Sequence, residues 1–528
     1  MLMSLLILIP VLSSVFIYKL PKKVSLVLLW CIQLFLLINV YQFFIHSSMN
    51  QPLLEVLGGN DPVLYISLMG NRLSFALLAL NTVVFSLIHL FSVKEEFYNN
   101  KFMMLCTVLQ AVVNGLFLTN DIFNLFVLFE LSTVVLTLLV IFQKTKESIY
   151  NAIYFIVVQV LSMLFFLFGI AYIYRIFGVL AIDVIASRMI YVDATSLILP
   201  ASFMFAGIAV KLGFFPLFSW VRVTYKAVSN PFAVQAIQSG IFIKVSIFVF
   251  ARTFNMFSQT IDFTNILLVL ALLTGIITTI KALSQKNPLV MLAFSTISQV
   301  SLICVGIILG GIGFEGGMLH AINHGFFKIL LFLSFGIVAK NYLTSDINEI
   351  RGVFKNMPFV GVMILIGLLS VTGFPFFNGY LSKAMIQSAS NAQWVTIALY
   401  LINMGTFLYS VKFAKVLFGK SDIQTKPINI FQVISLSLIA IIIIASGIFG
   451  ENLLHYLFNV TYTMTSNMHI EKLVTYVVML AIAILAHKFV PVKEDFYKRI
   501  SGSLTLAHTT FMLLIFFTIL MAYGYLAG

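Results

Sequence analysis

Long apolar stretches, separated by short polar segments, run along almost the whole chain. A helix needs about 20 consecutive apolar residues to cross the hydrocarbon core of a bilayer. The pattern therefore predicts about sixteen membrane-spanning helices, spans 1 to 16 in chain order. They cover residues 2–18, 24–46, 72–93, 102–119, 122–143, 150–174, 195–220, 232–252, 262–284, 288–310, 313–339, 358–390, 394–417, 428–449, 470–490 and 504–526. We interpret them as about fourteen core helices followed by a C-terminal pair.

The two longest polar connections cover residues 47–71 and 175–194. The first contains the turn signal Gly58-Gly59-Asn60-Asp61-Pro62, which could link two short strands. The apolar start of the chain lacks a basic n-region and a small-residue cleavage site, so we interpret it as span 1 and not as a removed signal.

Basic residues alternate between the connections. Odd-numbered connections carry clusters, such as Lys22 with Lys23 and Lys281 with Lys286. Even-numbered connections are predicted to hold only Arg72, Arg175, Arg188, Arg252 and Lys472. The positive-inside rule places the odd connections in the cytoplasm and both termini outside, which requires an even number of spans.

Composition supports a polytopic membrane protein. The 528 residues are 61% hydrophobic and 9% charged, whereas a soluble chain is about one quarter charged. The net charge of +13 would suit nucleic-acid binding in a soluble protein, but basic connections facing cytoplasm and anionic lipid explain it here. Three single cysteines in apolar stretches, without a CxxC motif, argue against a zinc or iron–sulfur site.

Two prolines are expected to break their helices at membrane depth. Pro216 follows Gly213 in span 7, and Pro375 follows Gly373 in span 12. Broken helices are tolerated where the freed carbonyls line a hydrated path inside the protein. Two interrupted spans five helices apart predict two inverted five-helix repeats, spans 4–8 and 9–13. The alternative is a simple proline kink at each site.

This arrangement divides the chain into four predicted parts. Residues 1–100 would form the N-terminal helices, 101–255 the first repeat, 256–420 the second repeat and 421–528 the C-terminal helices.

Five ionisable residues lie too deep in the predicted spans to be placed in connections. They are Glu130 in span 5, Lys211 in span 7, Lys244 in span 8, Lys328 in span 11 and Lys383 in span 12. A charge at the bilayer centre costs from about 2.5 to over 10 kcal/mol, so such residues usually have a function. We expect a polar row across the membrane midplane, in which separation of a Glu130–Lys211 pair releases a proton. A static ion pair that fixes helix register is the alternative.

Two histidines extend the row in span 11. His320, His324 and Lys328 are spaced i, i+4 and i+8, which places them on one face of a helix. Histidine suits a proton relay because its unperturbed pKa is about 6.5. A zinc site is disfavoured, because the pair lacks the Glu of HExxH and no Cys or carboxylate is near in sequence. Hydrogen-bonded packing is the other alternative.

Several of these segments resemble one family. The stretch from Asn114 to Glu130 resembles the large D-type subunits of Mrp multisubunit Na+/H+ antiporters. Further segments resemble that superfamily, which includes antiporter-like subunits of respiratory complex I and of membrane-bound hydrogenases. They are Lys211–Trp220, Ser229–Lys244, His320–Lys328 and Phe377–Lys383.

The resemblance covers roughly residues 70–420 and implies fourteen helices with two inverted five-helix repeats. It implies a coupling pair of Glu130 and Lys211, a central relay of Lys244 with the span 11 histidines, and a terminal site at Lys383. The chain departs from the family in three ways. The Pro that usually follows Trp-Leu is missing from Trp220-Val221-Arg222, spans 15 and 16 are additional, and the histidine pair is more similar to the complex I relatives.

The predicted function is that of a proton-translocating subunit of a multisubunit Na+/H+ antiporter in a bacterial cell membrane. Other membrane subunits are the expected partners, and neither a cofactor nor enzymatic chemistry is expected. A single deep acid, Glu130, favours a Na+ path elsewhere in the complex. Three alternatives remain: a proton-pumping subunit of a complex I-like or hydrogenase-like enzyme, the membrane subunit of an inorganic-carbon uptake system, and a non-transporting scaffold.

Overall fold

The computed structural model describes residues 2–48, 51–59, 61–63, 65–226, 231–421, 423–489 and 505–527. Within them, fourteen helices are long and apolar enough to cross a membrane. Two shorter apolar helices, Leu5–Lys19 and Pro358–Thr372, accompany them. The prediction of an all-α polytopic membrane protein is therefore confirmed.

The helices are α1 Leu5–Lys19, α2 Lys22–His46, α3 Arg72–Ser92, α4 Asn100–Leu118, α5 Ile122–Val140, α6 Lys146–Phe177, α7 Ile182–Met189, α8 Ala194–Leu212, α9 Ser219–Lys226, α10 Phe232–Ile237, α11 Ile243–Phe257, α12 Thr264–Ser284, α13 Pro288–Leu309, α14 Ile312–Tyr342, α15 Val353–Asn356, α16 Pro358–Thr372, α17 Gly379–Ser388, α18 Gln393–Ala414, α19 Ile430–Ile448, α20 Gly450–Phe458, α21 Ser466–Phe489 and α22 Leu506–Ala527. A π-helical turn, Gln238–Phe242, joins α10 to α11.

Two short strands lie in the connection between α2 and α3. β1, Leu53–Val56, pairs antiparallel with β2, Ser67–Gly70, so that Leu53 lies opposite Gly70. The strands predicted on either side of the Gly58–Pro62 turn signal are thus present. Asn60 of that turn lies outside the described residues, as do Ser229 and Asn230 of the family-like segment.

Both prolines singled out in the sequence lie in interruptions between two helices. α8 ends at Leu212, and Gly213 follows with a left-handed φ of 71°. α16 ends at Thr372, and Gly373 follows with a φ of 80°. Glycine adopts this conformation at little cost and is common just after a helix ends. Proline then follows each glycine before the next helix begins.

Helix α14 forms the centre of the bundle. It packs against α13, α16, α17 and α19, and its most apolar stretch is entirely buried within the protein. Polar residues within this stretch of α14 therefore face other helices and not lipid. The predicted domain boundaries lie near helix ends: α4 begins at Asn100, α11 ends at Phe257, and residue 420 lies between α18 and α19. The repeat arrangement stays a prediction.

The two C-terminal helices cover different parts of the bundle. α21 packs along α18, whereas α22 packs along α8 and α6. The sequence pattern predicts their existence but not these separate positions.

Candidate functional site

The first charged group of the site lies between α5 and α8. Lys211 of α8 is fully buried, and its Nζ lies 3.9 Å from Oε1 of Glu130 on α5. The ammonium also donates a hydrogen bond of 2.6 Å to Thr133 Oγ1 and lies 4.3 Å from the centre of the Phe129 ring. All three partners come from one turn of α5, so this turn holds the lysine.

Glu130 is less enclosed than the sequence indicated. Its side chain is 21% exposed, because α5 lies at the edge of the bundle. Leu131 and Val134 on the same helix are exposed apolar residues. The carboxylate therefore faces Lys211 on one side and the outside of this chain on the other.

The centre of the site joins α11 to α14. Lys244 Nζ lies 2.5 Å from His324 Nδ1 and donates a hydrogen bond of 2.7 Å to the carbonyl of Ser239. Ser239 belongs to the π-helical turn, where backbone hydrogen bonds deviate from the α-helical pattern. The turn thereby supplies an acceptor for a lysine that forms no ion pair with a carboxylate among the described residues.

Lys328 lies one turn further along α14, against α13. It is fully buried, and its Nζ donates to Ser295 Oγ at 2.5 Å and to the carbonyl of Leu292 at 3.1 Å. The ammonium also interacts electrostatically with Lys244 and with Lys383. Lys328 therefore belongs to the same group of charges.

His320 links the centre to the second broken helix. Its Nδ1 lies 2.9 Å from Ser382 Oγ on α17, and its Nε2 lies 3.2 Å from Gln299 Oε1 on α13. Asn323 Nδ2 donates to the carbonyl of Asn378, just before α17 begins. Within the described ranges, no group of three or more His, Cys, Asp and Glu side chains could hold a metal ion.

Lys383 lies beside the interruption between α16 and α17. Its Nζ donates to the carbonyl of Val371 at 2.6 Å and to Asn403 Oδ1 at 3.4 Å. Val371 is in the last turn of α16, where carbonyls lack helical partners and carry partial negative charge. The break therefore provides the acceptor that a part-buried ammonium needs.

The contacts form separate groups along the row. One joins Glu130 to Lys211, another joins Lys244 to His324, and a third joins His320 to Ser382, the residue before Lys383. His320 and His324 lie one turn apart on the same face of α14. Among the described residues, no hydrogen bond joins Lys211 directly to Lys244. Two buried atoms of the row have no hydrogen-bond partner in the described structure: Glu130 Oε1, which lies 3.9 Å from Lys211 Nζ, and His324 Nε2.

Comparison with known proteins identifies the family. Residues 119–408 match the model of the membrane domain described as NADH:quinone oxidoreductase/Mrp antiporter. The chain belongs to this family. The matched segment contains every charged and histidine residue described above, from Glu130 to Lys383.

Individual members of the NADH:quinone oxidoreductase/Mrp antiporter family agree with this assignment. The chain is 32% identical over 303 residues to the D-type subunit of the Na+/H+ antiporter of Alkalihalophilus pseudofirmus. That match covers 56% of this chain and 60% of the relative's length. The resemblance to D-type subunits predicted from the motifs is confirmed.

Two solved structures share the fold. A chain of the archaeal membrane-bound sulfane sulfur reductase superposes with a TM-score of 0.78 at 25% identity, covering 91% of this chain and 99% of that chain. A chain of the Mrp complex from Dietzia sp. DQ12-45-1b gives a TM-score of 0.81 at 19% identity, covering 95% of this chain and 99% of that chain.

The structure corrects four assignments in this family member. Four residues expected in even-numbered connections lie within helices: Arg72 in α3, Arg175 in α6, Arg252 in α11 and Lys472 in α21. Arg252 donates hydrogen bonds to the carbonyl of Thr119 and to Asn120 Oδ1, so the ends of α4 and α11 are tied together. A charged residue at the end of an apolar run can lie within the helix or in the connection next to it, and the sequence pattern does not distinguish the two positions.

Sequence reasoning also missed several polar partners in the site. Thr133 follows Glu130 by three residues, and Ser382 directly precedes Lys383. Their positions close to Glu130 and Lys383 in the sequence were the signal that could have identified them as partners. Hydroxyl residues are common in membrane helices, however, and most of them bond to their own backbone.

Proposed function

We propose that this chain is a proton-translocating subunit of a multisubunit cation/proton antiporter, located in a cell membrane with both termini outside. The observation that carries the proposal is the row of buried groups on α14, where His324 contacts Lys244 and, one turn away, His320 contacts Ser382 beside Lys383. A structural scaffold would gain nothing from ionisable groups placed at this cost in the bundle interior.

In the proposed cycle, Lys244 and the α14 histidines pass protons between the two broken helices. Imidazole can accept a proton at one ring nitrogen and release one from the other, which suits a relay between an amine and a hydroxyl. Lys328 adds a positive charge beside the relay. A proton bound to one group of the row would then lower the proton affinity of the neighbouring group. This repulsion is proposed to move protons along the row.

Glu130 and Lys211 are proposed to control this transfer. At 3.9 Å the carboxylate stabilises the lysine ammonium, and separation of the two would favour loss of the lysine proton. Because Glu130 is also open to the outside of the chain, a neighbouring subunit could draw it away from Lys211. Other membrane subunits of the complex are the proposed partners.

The cation path is proposed to lie elsewhere in the complex. Sodium sites need several oxygen ligands, and in the described part of the chain no cluster of acidic side chains accompanies the row. The name of the Alkalihalophilus relative, which refers to Na+/H+ antiport, supports Na+ as the exchanged cation.

The test is Na+-driven proton exchange in everted membrane vesicles that contain the full complex. Glu130→Ala and Lys211→Ala are each expected to abolish exchange while the complex still assembles. Lys420→Ala is the matched control, because this lysine is exposed and follows α18. Wild-type exchange in both site variants would refute the coupling role of the pair.

A second candidate is a proton-pumping role that is powered by redox chemistry in partner proteins. The similarity to the sulfane sulfur reductase chain, at 25% identity over 91% of this chain, favours it specifically. Purification with native partners distinguishes the two candidates: an antiporter would bring only membrane subunits, whereas a redox-driven complex would bring iron–sulfur proteins.

A further inference from the structure

One polar face of α21 lies against the terminal lysine of the row. His469, Lys472 and Tyr476 are spaced by three and four residues, so they share one side of the helix. The opposite side, including Val474 and Val478, is exposed and apolar. A helix at the edge of a membrane bundle needs no such polar face for packing alone, and a lysine there is costly.

This face contacts both halves of the second broken helix. Tyr476 OH lies 2.9 Å from Thr372 Oγ1, at the last residue of α16. Lys472 Nζ donates a hydrogen bond of 2.6 Å to Gln387 Oε1 on α17. The helix therefore spans the interruption whose carbonyl at Val371 holds Lys383.

A small cavity of about 60 Å³ lies between these elements. Lys383, Gln387, Asn403, Lys472 and Tyr476 contribute polar groups to its lining. Such a volume has room for a few water molecules, and a site with this many polar groups favours their presence. Gln387 Nε2 is buried and has no hydrogen-bond partner within the described structure, so it can bind a molecule in the cavity.

The cavity lies close to one end of both helices. Tyr462 OH, just before α21 begins, donates to Ser388 Oγ at the end of α17. His469 Nδ1, on the first turn of α21, lies 2.9 Å from Tyr380 OH and is exposed. A polar path can therefore lead from Lys383 through Tyr380, which also lines the cavity, to the exposed His469.

We propose that α21 completes a hydrated outlet for Lys383, and that Lys472 is a positioning residue of this outlet. In this step the Lys383 ammonium gives its proton to a water molecule in the cavity and becomes a neutral amine. The water passes the proton towards His469 and the surface. Lys472 orients Gln387 towards the cavity, and its positive charge disfavours retention of a second charge at Lys383. The proposal rests on the proposed proton-translocating function.

The first experiment measures exchange in the full complex. Lys472→Met is expected to lower the initial rate of Na+-driven proton exchange by about tenfold, as for the loss of a charge-assisted hydrogen bond. Lys472→Arg should restore most of the rate, because it keeps the charge and the donor. Lys420→Met makes the same chemical change at an exposed lysine outside the cavity and should leave the rate unchanged.

The second experiment measures access to the cavity and needs no transport. A thiol at Gln387→Cys should bind Ag+ added from one side of the membrane, and so be protected from later maleimide labelling of the denatured protein. Val478→Cys, on the exposed apolar face of α21, is the matched control and should not be protected. The chain without an added cysteine is labelled in parallel, because it shows how much of the maleimide labelling comes from the three native cysteines.

The two experiments separate failure of the outlet from failure of the proposed function. Absence of exchange in wild-type vesicles would contradict the function, while protection of Gln387→Cys would still support a hydrated cavity. If wild-type exchange is present, the outlet is refuted when Lys472→Met exchanges as fast as Lys420→Met. It is also refuted when Gln387→Cys is no better protected than Val478→Cys.

Discussion

The hydroxyl of Thr133 offers a sharp test of how Lys211 is held. Lys211 is fully buried, and Thr133 Oγ1 accepts its hydrogen bond at 2.6 Å, which is closer than the Glu130 carboxylate at 3.9 Å. Thr133→Val removes this acceptor with almost no change in side-chain shape. The Lys211 ammonium then keeps only the Glu130 carboxylate and the Phe129 ring as interaction partners in the described structure.

The expected effect follows from the type of bond that is lost. A hydrogen bond to a charged group contributes about 1.5–3 kcal/mol, and each 1.36 kcal/mol corresponds to about a tenfold change in rate. If the protonated form of Lys211 is needed in the cycle, Thr133→Val should slow Na+-driven proton exchange by about tenfold to a hundredfold. The assay is the initial rate of exchange in everted vesicles, normalised to the amount of assembled complex.

Thr137 provides the matched control one turn further along α5. Its Oγ1 donates to the carbonyl of Thr133 within the same helix and does not contact Lys211. Thr137→Val should therefore change the rate by no more than about twofold, because a hydroxyl bonded to its own helix contributes little. Equal rates in the two variants would refute the role assigned to the Thr133 hydroxyl.

Two further changes test the second broken helix. Gly373→Ala should lower the free energy of unfolding of the purified complex by about 1–2 kcal/mol, because alanine is strained in the left-handed conformation. It should also slow exchange. Gly178→Ala imposes the same backbone cost at an open helix end and should leave exchange intact; equal exchange rates would contradict a site effect at Gly373. Ser382→Ala removes the hydroxyl beside His320 and should slow exchange several-fold. Ser334→Ala removes a buried hydroxyl on α14 without a hydrogen-bond partner in the described residues and should not; equal loss in both would argue against a relay through Ser382.

The sequence predicts the membrane fold well because two strong physical rules apply. The length of an apolar stretch determines whether it can span the bilayer. Because a charge within such a stretch costs free energy, each deeply placed charged residue is a functional candidate. Glu130 and Lys211 come together as expected, although 81 positions separate them in the chain. The helix ends at Gly213 and Gly373 were also visible, because glycine and proline disrupt long apolar runs.

Other features depend on packing that a single sequence does not reveal. The π-helical turn at Gln238–Phe242 has no distinctive composition, yet it gives Lys244 its carbonyl acceptor. The position of α21 against Lys383 follows from tertiary contacts and not from its hydropathy. Lys472 illustrates the difference: by sequence it resembles a residue of a connection, but its partner Gln387 places it in the proposed outlet.

The central claim is that protons cross this chain through Lys244 and the α14 histidines. The most direct measurement is Na+-driven proton exchange in everted vesicles with Lys244→Met, compared with Lys420→Met at equal amounts of assembled complex. The account predicts that exchange is lost in Lys244→Met and retained in Lys420→Met. Wild-type exchange in the Lys244→Met complex would contradict it.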